Sequence, residues 1–318
     1  MRLRQLEYVI AVADEGSFTE AARSARVSQP ALSHQVKALE VELGNALFAR
    51  LPGEVRLTGH GERFLPHARA AVASARAAAE AARDTARLKG GELRVAALHS
   101  MAMGIVPPAI GAWRRAHPAV HVELTEFSHM DLLAEAMERG EADIAVGTEP
   151  HGWAGPQQVL GEEELLVVLP VDDPLIERYR RDGIPLDALA DRPWVLYASD
   201  FGLAPLVVQA CAKAGFAPRA AARVHHTATA VELAAAGLGP ALVPGDVIVP
   251  RYAGCALRPA TPIRRRIVAF TRSGPPPSAL VFTGLLAEHA APGARATDLL
   301  HGKVTAKPDA AGENGSPG

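Results

Sequence analysis

The stretch Phe18–Leu43 constrains the fold most. It is predicted to form two short helices joined by a tight turn, and the second helix separates apolar and polar residues onto two faces. The apolar face, with spacings of four, three and four, consists of Leu32, Val36, Leu39 and Leu43. Such spacing predicts an amphipathic α-helix that buries this stripe. At about 100° per residue, an adjoining arc stays exposed. That arc carries Gln29, Pro30, Ser33, His34 and Lys37.

The flanks of this helix carry residues that begin and end helices. Gly16 suits the end of a first helix and Ser17 or Thr19 the start of a second. Ser28 suits the start of the third helix, with Pro30 inside its first turn. A helix whose exposed face presents donors and acceptors has the layout needed in a DNA major groove.

Bulk charge does not favour nucleic-acid binding. The 318 residues carry a formal net charge of −2, and residues 1–58 hold seven basic and seven acidic side chains. Attraction to phosphates acts over about 8–10 Å, so the placement of the cations decides the question. The cations in or beside the predicted binding element are Arg23, Arg26, Lys37, Arg50 and Arg56.

Two runs of sequence resemble the amino-terminal signature of LysR-type transcriptional regulators. Residues Ser28 to Arg50 read S-Q-P-A-L-S-x-Q-V-x-x-L-E-x-x-L-G-x-x-L-F-x-R, and residues Val55 to Gly61 read V-R-L-T-x-x-G. Val55–Thr58 alternates as a short strand, which is typical of a wing. The resemblance therefore implies a winged helix-turn-helix domain over residues 1–58.

The resemblance also implies roles for individual residues. Those expected to approach base edges are Gln29, Pro30, Ser33 and His34. Those expected to contact phosphates are Ser28, Lys37 and Arg50. The family's wing usually carries a basic residue where this chain has Gly53, and Arg56 is the candidate that would replace it. The alternative is a pair of packed helices without DNA contacts, in which His34 is only a solvated side chain.

Residues 59–89 are predicted to form one long helix. The segment has no glycine after Gly61 and is rich in alanine and arginine, so we expect about 30 helical residues and a length of ~45 Å. A heptad-like seam runs along it through Leu65, Ala68, Val72, Ala75, Ala79, Ala82 and Ala86. Such a seam favours a linker helix that pairs two subunits, as the resemblance implies; a surface helix of a monomer is the alternative.

Strands and helices alternate after Gly90 and Gly91. This order predicts parallel sheets in an α/β fold. We expect an effector-binding domain at residues 90–301, with lobe I at about 91–162 and 267–300 and lobe II at about 163–266. The arrangement resembles periplasmic binding proteins and the LysR effector domain. The polar tail, residues 302–318, is predicted to be disordered.

A ligand is expected at the carboxyl ends of the strands, between the two lobes. The candidate effector-binding residues at those ends are Ser100, Met101, Ser128, His129, Thr148, Phe201, Gly202, Thr227 and Thr229. The family tends to place small hydroxyl residues there to hold the effector's polar group, although each hydroxyl could equally be a helix N-cap. The expected ligand is a small-molecule co-inducer, with an organic anion as one candidate class.

Metal binding is the weaker interpretation of the histidines at the same ends, His99, His129, His225 and His226. They could form a metal or pH sensor, but their spacing does not predict convergence and thiolate ligands are absent. We therefore predict no metal and no other cofactor. Cys211 and Cys255 have neither metal-ligand nor CxxC spacing and are expected to be reduced structural thiols.

The favoured function is a sequence-specific DNA-binding transcription regulator and not an enzyme. A nucleophile elbow, HExxH, a P-loop and GxGxxG are all missing. The rival is a two-lobed binding protein or enzyme with an incidental helical extension.

The expected partners are operator DNA, a small effector, a second copy in a homodimer or homotetramer, and RNA polymerase. Because no apolar run approaches ~20 residues and the start lacks a signal-peptide pattern, we expect a cytoplasmic protein without membrane contact.

Overall fold

Three separate apolar cores organise the chain in a computed structural model that describes residues 1–51, 54–81, 91–290 and 292–293. The amino-terminal core is built on residues such as Val9, Leu32 and Leu39. A second core surrounds Trp113, and a third surrounds Trp194. The amino-terminal helices therefore pack on one another around a core of their own.

The amino-terminal elements follow the order predicted from the sequence. They are α1 (Leu3–Glu15), α2 (Phe18–Ser24), α3 (Gln29–Leu43), β1 (Phe48–Leu51), β2 (Glu54–Leu57) and α4 (Gly59–Ala81). The predicted helix ends are confirmed: Gly16 and Gly44 adopt left-handed φ values of 59° and 72°, and the hydroxyls of Ser17 and Ser28 accept backbone N–H groups at the starts of α2 and α3. The strands β1 and β2 pair antiparallel, as a wing requires.

A buried carboxylate connects the recognition helix to the wing. Glu40 in α3 is only 6% exposed, and its Oε1 accepts the N–H groups of Leu47 at 2.8 Å and Phe48 at 3.2 Å. Hydrogen bonds from buried N–H groups to a charged acceptor are among the stronger ones in proteins. Glu40 therefore holds the chain at the start of β1 against the carboxyl end of α3.

The first half of the seam predicted on α4 packs inside the same subunit, and not against a second subunit as the sequence suggested. Ala68 and Val72 are 2% and 4% exposed and belong to the amino-terminal core, where α4 packs against α1. The heptad spacing correctly marks a buried face, but periodicity cannot tell which neighbour covers it. Ala75 is half-buried, whereas Ala82 and Ala86 lie outside the described residues. A contact between subunits along α4 therefore stays a prediction for the part beyond Val72.

The carboxy-terminal elements alternate as predicted. They are β3 (Gly91–Leu98), α5 (His99–Gly104), α6 (Val106–Ala116), β4 (Val120–Phe127), α7 (Met130–Glu138), β5 (Ile144–Thr148), β6 (Gln157–Val168), α8 (Pro174–Tyr179), β7 (Pro193–Tyr197), α9 (Ala204–Lys213), β8 (Arg219–Val224), α10 (Thr227–Ala235), β9 (Ala241–Pro244), β10 (Ala256–Leu257), β11 (Ile263–Phe270) and α11 (Pro277–His289).

Parallel pairing occurs within each lobe, and one antiparallel pair crosses between the lobes. In lobe I, β3 pairs parallel with β4 and β5, and in lobe II β7 pairs parallel with β8. The long strands β6 and β11 pair antiparallel with each other. On its other side, β11 pairs with β5 of lobe I through Ile267–Phe270. The carboxyl end of β6, from Leu165 to Val168, pairs with β9 and β10 of lobe II. These two crossing strands are the two crossovers expected from the sequence.

Within the residues that the structure describes, no helix combines the length and the apolar character of a transmembrane span. The predicted disordered tail at residues 302–318 lies outside those residues.

Replacement of Glu40 by alanine should loosen the start of the wing. The variant Glu40→Ala leaves the N–H groups of Leu47 and Phe48 buried without their acceptor, at a cost of about 1–3 kcal/mol. Hydrogen exchange should therefore accelerate roughly tenfold or more at these two amides. The control Glu42→Ala changes an exposed carboxylate of the same helix and should leave both rates unchanged. Equal rates in the two variants would contradict the role assigned to Glu40.

The two thiols should react slowly in the folded protein. Cys211 and Cys255 are free and buried, and burial raises the pKa of Cys211 to about 11 and raises that of Cys255. A raised pKa removes the reactive thiolate at pH 8. A disulfide reagent such as dithionitrobenzoate should therefore label the unfolded chain rapidly and the native chain at least tenfold more slowly. Labelling of the native protein as fast as that of the unfolded chain would rule this out.

Candidate functional site

The third helix presents the predicted DNA-reading residues on one exposed face. Its inner side buries Leu32, Val36 and Leu39 completely. The outer side leaves Ser28, Gln29, Pro30, His34 and Lys37 exposed and Ser33 half-buried. At about 100° per residue, positions 29 to 37 on this side fall within roughly 140° of arc. The structure therefore brings these five residues together on one face, with Ser28 directly before them as the N-cap.

The orientation of α3 depends on contacts with both preceding helices. Arg26, in the turn between α2 and α3, has φ = 55°, the one positive φ outside glycine among the described residues. In α1, the amide of Gln5 donates to the carbonyl oxygen of Gln35 at 3.5 Å. The turn and this packing hold α3 at one angle, so its exposed face is presented as a rigid surface.

The wing carries the two remaining candidates for DNA contact. Arg50 lies in β1, where its backbone is in register with Val55, but its side chain lies outside the described part of the chain. Arg56 lies in β2 and is exposed. Gly53 is also outside the described residues.

A second candidate site is a cavity of about 410 Å³ between the two lobes. Six predicted effector-binding residues line it: Ser100, Ser128, His129, Thr148, Phe201 and Gly202. They come from the ends of β3, β4 and β5 in lobe I and from the loop after β7 in lobe II, as expected for the carboxyl ends of parallel strands. Six of the nine predicted effector-binding residues thus line this cavity.

Direct contacts close the cavity across the lobes. The N–H of Gly202 donates to the carbonyl oxygen of Ser128 at 2.9 Å. A Cβ at position 202 would stand 3.1 Å from that oxygen. The ring of His99 stacks on that of Phe201 with centroids 6.0 Å apart. It also packs edge-to-face against the ring of His226, with centroids 5.3 Å apart. At this cavity, therefore, a backbone hydrogen bond and an aromatic cluster link lobe I to lobe II.

A buried ion pair, missed by the sequence reasoning, lies at the base of the cavity. The Nε of Arg265 in β11 donates to Oε2 of Glu163 in β6 at 2.6 Å, and its Nη2 donates to Oγ of Ser100 at 2.7 Å. Glu163 is fully buried. Burial raises the pKa of the Glu163 carboxyl; the Arg265 cation opposes that shift and the nearby Asp246 adds to it. Two runs of opposite charge in the sequence could have indicated this ion pair: three glutamates at 162–164 and three arginines at 264–266. The strand register places the two runs opposite each other.

Three predicted effector residues do not line the cavity. Met101 is completely buried in the core of lobe I, because its position on α5 turns it inward. Thr227 is 1% exposed at the start of α10, and Thr229 points into solvent from the same helix. Neither hydroxyl lines the cavity; from the end of β8, His226 contacts His99, which does line it.

His99, His129 and His225 each lie beside a different acidic residue, and His226 contacts the ring of His99. Nδ1 of His99 lies 2.7 Å from Oε2 of Glu126, Nδ1 of His129 accepts the N–H of Asp131, and Nε2 of His225 lies 3.5 Å from Oδ1 of Asp200. Among the described residues, no group of three or more histidine, cysteine or acidic side chains is arranged to hold a metal ion.

Comparisons with known families match both parts of the chain. Residues 3–62 match the bacterial regulatory helix-turn-helix protein, lysR family, and residues 86–291 match the LysR substrate binding domain. The chain is 33% identical to the HTH-type transcriptional regulator AlsR of Bacillus subtilis over 249 residues, or 77% of this chain and 81% of AlsR. The amino-terminal helices are therefore not an incidental extension of a binding protein or an enzyme.

Solved structures agree over nearly the whole length. A variant of full-length OxyR from Pseudomonas aeruginosa has a TM-score of 0.72 at 26% identity, covering 91% of this chain and 94% of that one. The LysR-family regulator CbnR, solved in complex with its target DNA, has a TM-score of 0.64 at 26% identity, covering 91% and 99%. The chain belongs to the LysR family of DNA-binding transcriptional regulators, which are not enzymes, and it combines a helix-turn-helix domain with an effector-binding domain.

Proposed function

We propose that α3 reads operator sequence through Gln29, Pro30, Ser33 and His34. The DNA phosphates on either side of those bases would be bound by Ser28, Lys37, Arg50 and Arg56. The exposure of the α3 residues around a fully buried stripe carries this proposal, because an amide and hydroxyls on such a face match the donor and acceptor pattern of base edges. The DNA complex of CbnR supports the same use of the domain.

We further propose that the protein acts as a homodimer or homotetramer. The amino-terminal domain has equal numbers of basic and acidic side chains, so one domain offers few net phosphate contacts. Two linked domains raise each other's effective concentration at adjacent half-sites. In this proposal residues 1–58 bind DNA, residues 59–89 link and pair the subunits, and residues 90–301 bind the effector.

The effector is proposed to bind in the cavity between the lobes. Hydroxyls of Ser128 and Thr148 and the guanidinium of Arg265 line it, which suits a small organic anion. Two carboxylates also line it, but the side chains of Asp131 and Glu149 are 80% and 62% exposed. Water and salt screen such exposed charges. Arg265 is paired with the buried Glu163, so in this proposal its remaining N–H groups serve as hydrogen-bond donors to the anion.

Regulation follows from the lobe contacts. A ligand can change the output only if it binds one lobe arrangement more tightly than another. The hydrogen bond between Gly202 and Ser128 and the stack of His99 on Phe201 are the contacts that a bound effector would strengthen or displace. In this proposal, effector binding changes the spacing between the two DNA-binding domains of a pair. That change alters how the protein contacts RNA polymerase in the cytoplasm.

Loss of the base-reading side chains should abolish sequence-specific binding. Each good base contact contributes about 1–3 kcal/mol of discrimination, so Gln29→Ala with Ser33→Ala should weaken binding to DNA upstream of its own gene by tenfold or more. Binding to random DNA should change little. Gel shifts on both DNAs measure this difference. Glu42→Ala, on the same helix but outside the proposed face, is the control; equal weakening on both DNAs would contradict base reading.

Loss of a cavity hydroxyl should desensitise the response without affecting DNA binding. A hydrogen bond to a charged ligand contributes about 1.5–3 kcal/mol, so Ser128→Ala should raise the effector concentration needed to alter the footprint by roughly tenfold. Footprinting with a panel of organic acids provides the measurement. Thr229→Ala removes an exposed hydroxyl outside the cavity and should respond normally. An unchanged response in Ser128→Ala would exclude this hydroxyl as a ligand contact.

A further inference from the structure

A second and larger cavity lies in lobe II, beside the cavity between the lobes. Its volume is about 670 Å³, within the range of roughly 300–1,000 Å³ that small-molecule sites occupy. Its walls are α9, the segment around Leu186, and the chain that leads from β10 into β11. The proposed function does not use it.

The walls are preformed and largely apolar. Leu186 and Ala210 are buried in the core of lobe II, and Leu206 and Ile263 pack against that core. Below them the backbones of two segments are joined, because the N–H of Ile184 donates to the carbonyl oxygen of Arg258 at 2.7 Å and the carbonyl of Ile184 accepts from Ala260 at 2.8 Å. An apolar ligand body would thus meet a surface that needs no rearrangement.

Charged side chains stand at the edge of this apolar surface. Lys213 and Arg264 are exposed, and within the described part of the chain neither forms an ion pair. Glu164 lies opposite Arg264 in the strand register, but its carboxylate stands 3.6 Å from Nε of Arg258. One carboxylate, Asp187, also lines the cavity. Two cations and one anion give the side chains around this cavity a net charge of +1.

We propose that this cavity is a second ligand site, for a monocarboxylate with an apolar body. The carboxylate would bind Lys213 and Arg264, since charge-assisted hydrogen bonds from two cations favour an anion. The apolar body would cover Leu186 and Leu206, where it displaces water from apolar surface.

The site shares structure with the cavity between the lobes. Leu206 lines both cavities, and the consecutive residues Arg264 and Arg265 of β11 line one each. A ligand in the lobe II cavity therefore contacts a crossing strand and one wall of the first cavity. Coupling between two such sites is reciprocal, so each ligand changes the affinity for the other by the same factor.

Calorimetric titration of the full-length protein with octanoate, hexanoate and phenylacetate tests the proposal. At least one of these carboxylates should bind at least tenfold more tightly than its neutral amide. The double variant Lys213→Gln with Arg264→Gln should lose that tenfold preference. The double variant Arg114→Gln with Arg115→Gln changes net charge equally on the exposed side of α6 and should keep it. Thr261→Trp, at an exposed wall position, should block binding without loss of charge.

Several results would overturn the proposal. One is equal binding of carboxylates and amides, and another is unchanged binding in the Lys213 and Arg264 variant. Loss of binding in Ser128→Ala would place the probe between the lobes instead. Absence of binding by all three carboxylates would also reject it. The titration contains no DNA, so failure of the regulatory proposal and failure of this one are distinguishable.

Discussion

The antiparallel pair of β6 and β11 is the constraint on which the effector domain depends. These strands carry the chain from one lobe to the other, and they are joined by a buried ion pair between Glu163 and Arg265. A buried ion pair resists the loss of either partner, because a single charge would remain in a medium of low dielectric constant. Arg265 also reaches Ser100, so the strands, the start of α5 and the cavity between the lobes share one network.

Local signals predicted the element boundaries well. Gly16, Gly44, Ser17 and Ser28 mark helix ends through backbone conformation and capping, which depend only on nearby residues. Strand order also predicted the carboxyl ends where Ser100, Ser128 and Thr148 meet. These features need no knowledge of distant contacts, and the structure agrees with them.

Long-range partners were less predictable. The heptad spacing on α4 marks buried residues but not the helix that buries them, and Ala68 and Val72 turned out to face α1. Met101 follows a strand end as expected, yet its side chain enters the core. Arg265 and Glu163 are 102 residues apart, and only the sheet register brings them together. Sequence patterns of this kind predict which face of an element is buried, but they do not predict which other element packs against that face.

The burial of Ala68 and Val72 has a mechanical consequence. Because α4 contributes to the core of the DNA-binding head, the head and the first turns of α4 move as one rigid body. A helix of 23 residues is about 35 Å long at 1.5 Å per residue. Rotation of about 10° at its far end displaces the head by roughly 6 Å, about twice a hydrogen-bond length. The helix therefore acts as a lever arm, and a small angular change is enough to move α3 out of register with its base pairs.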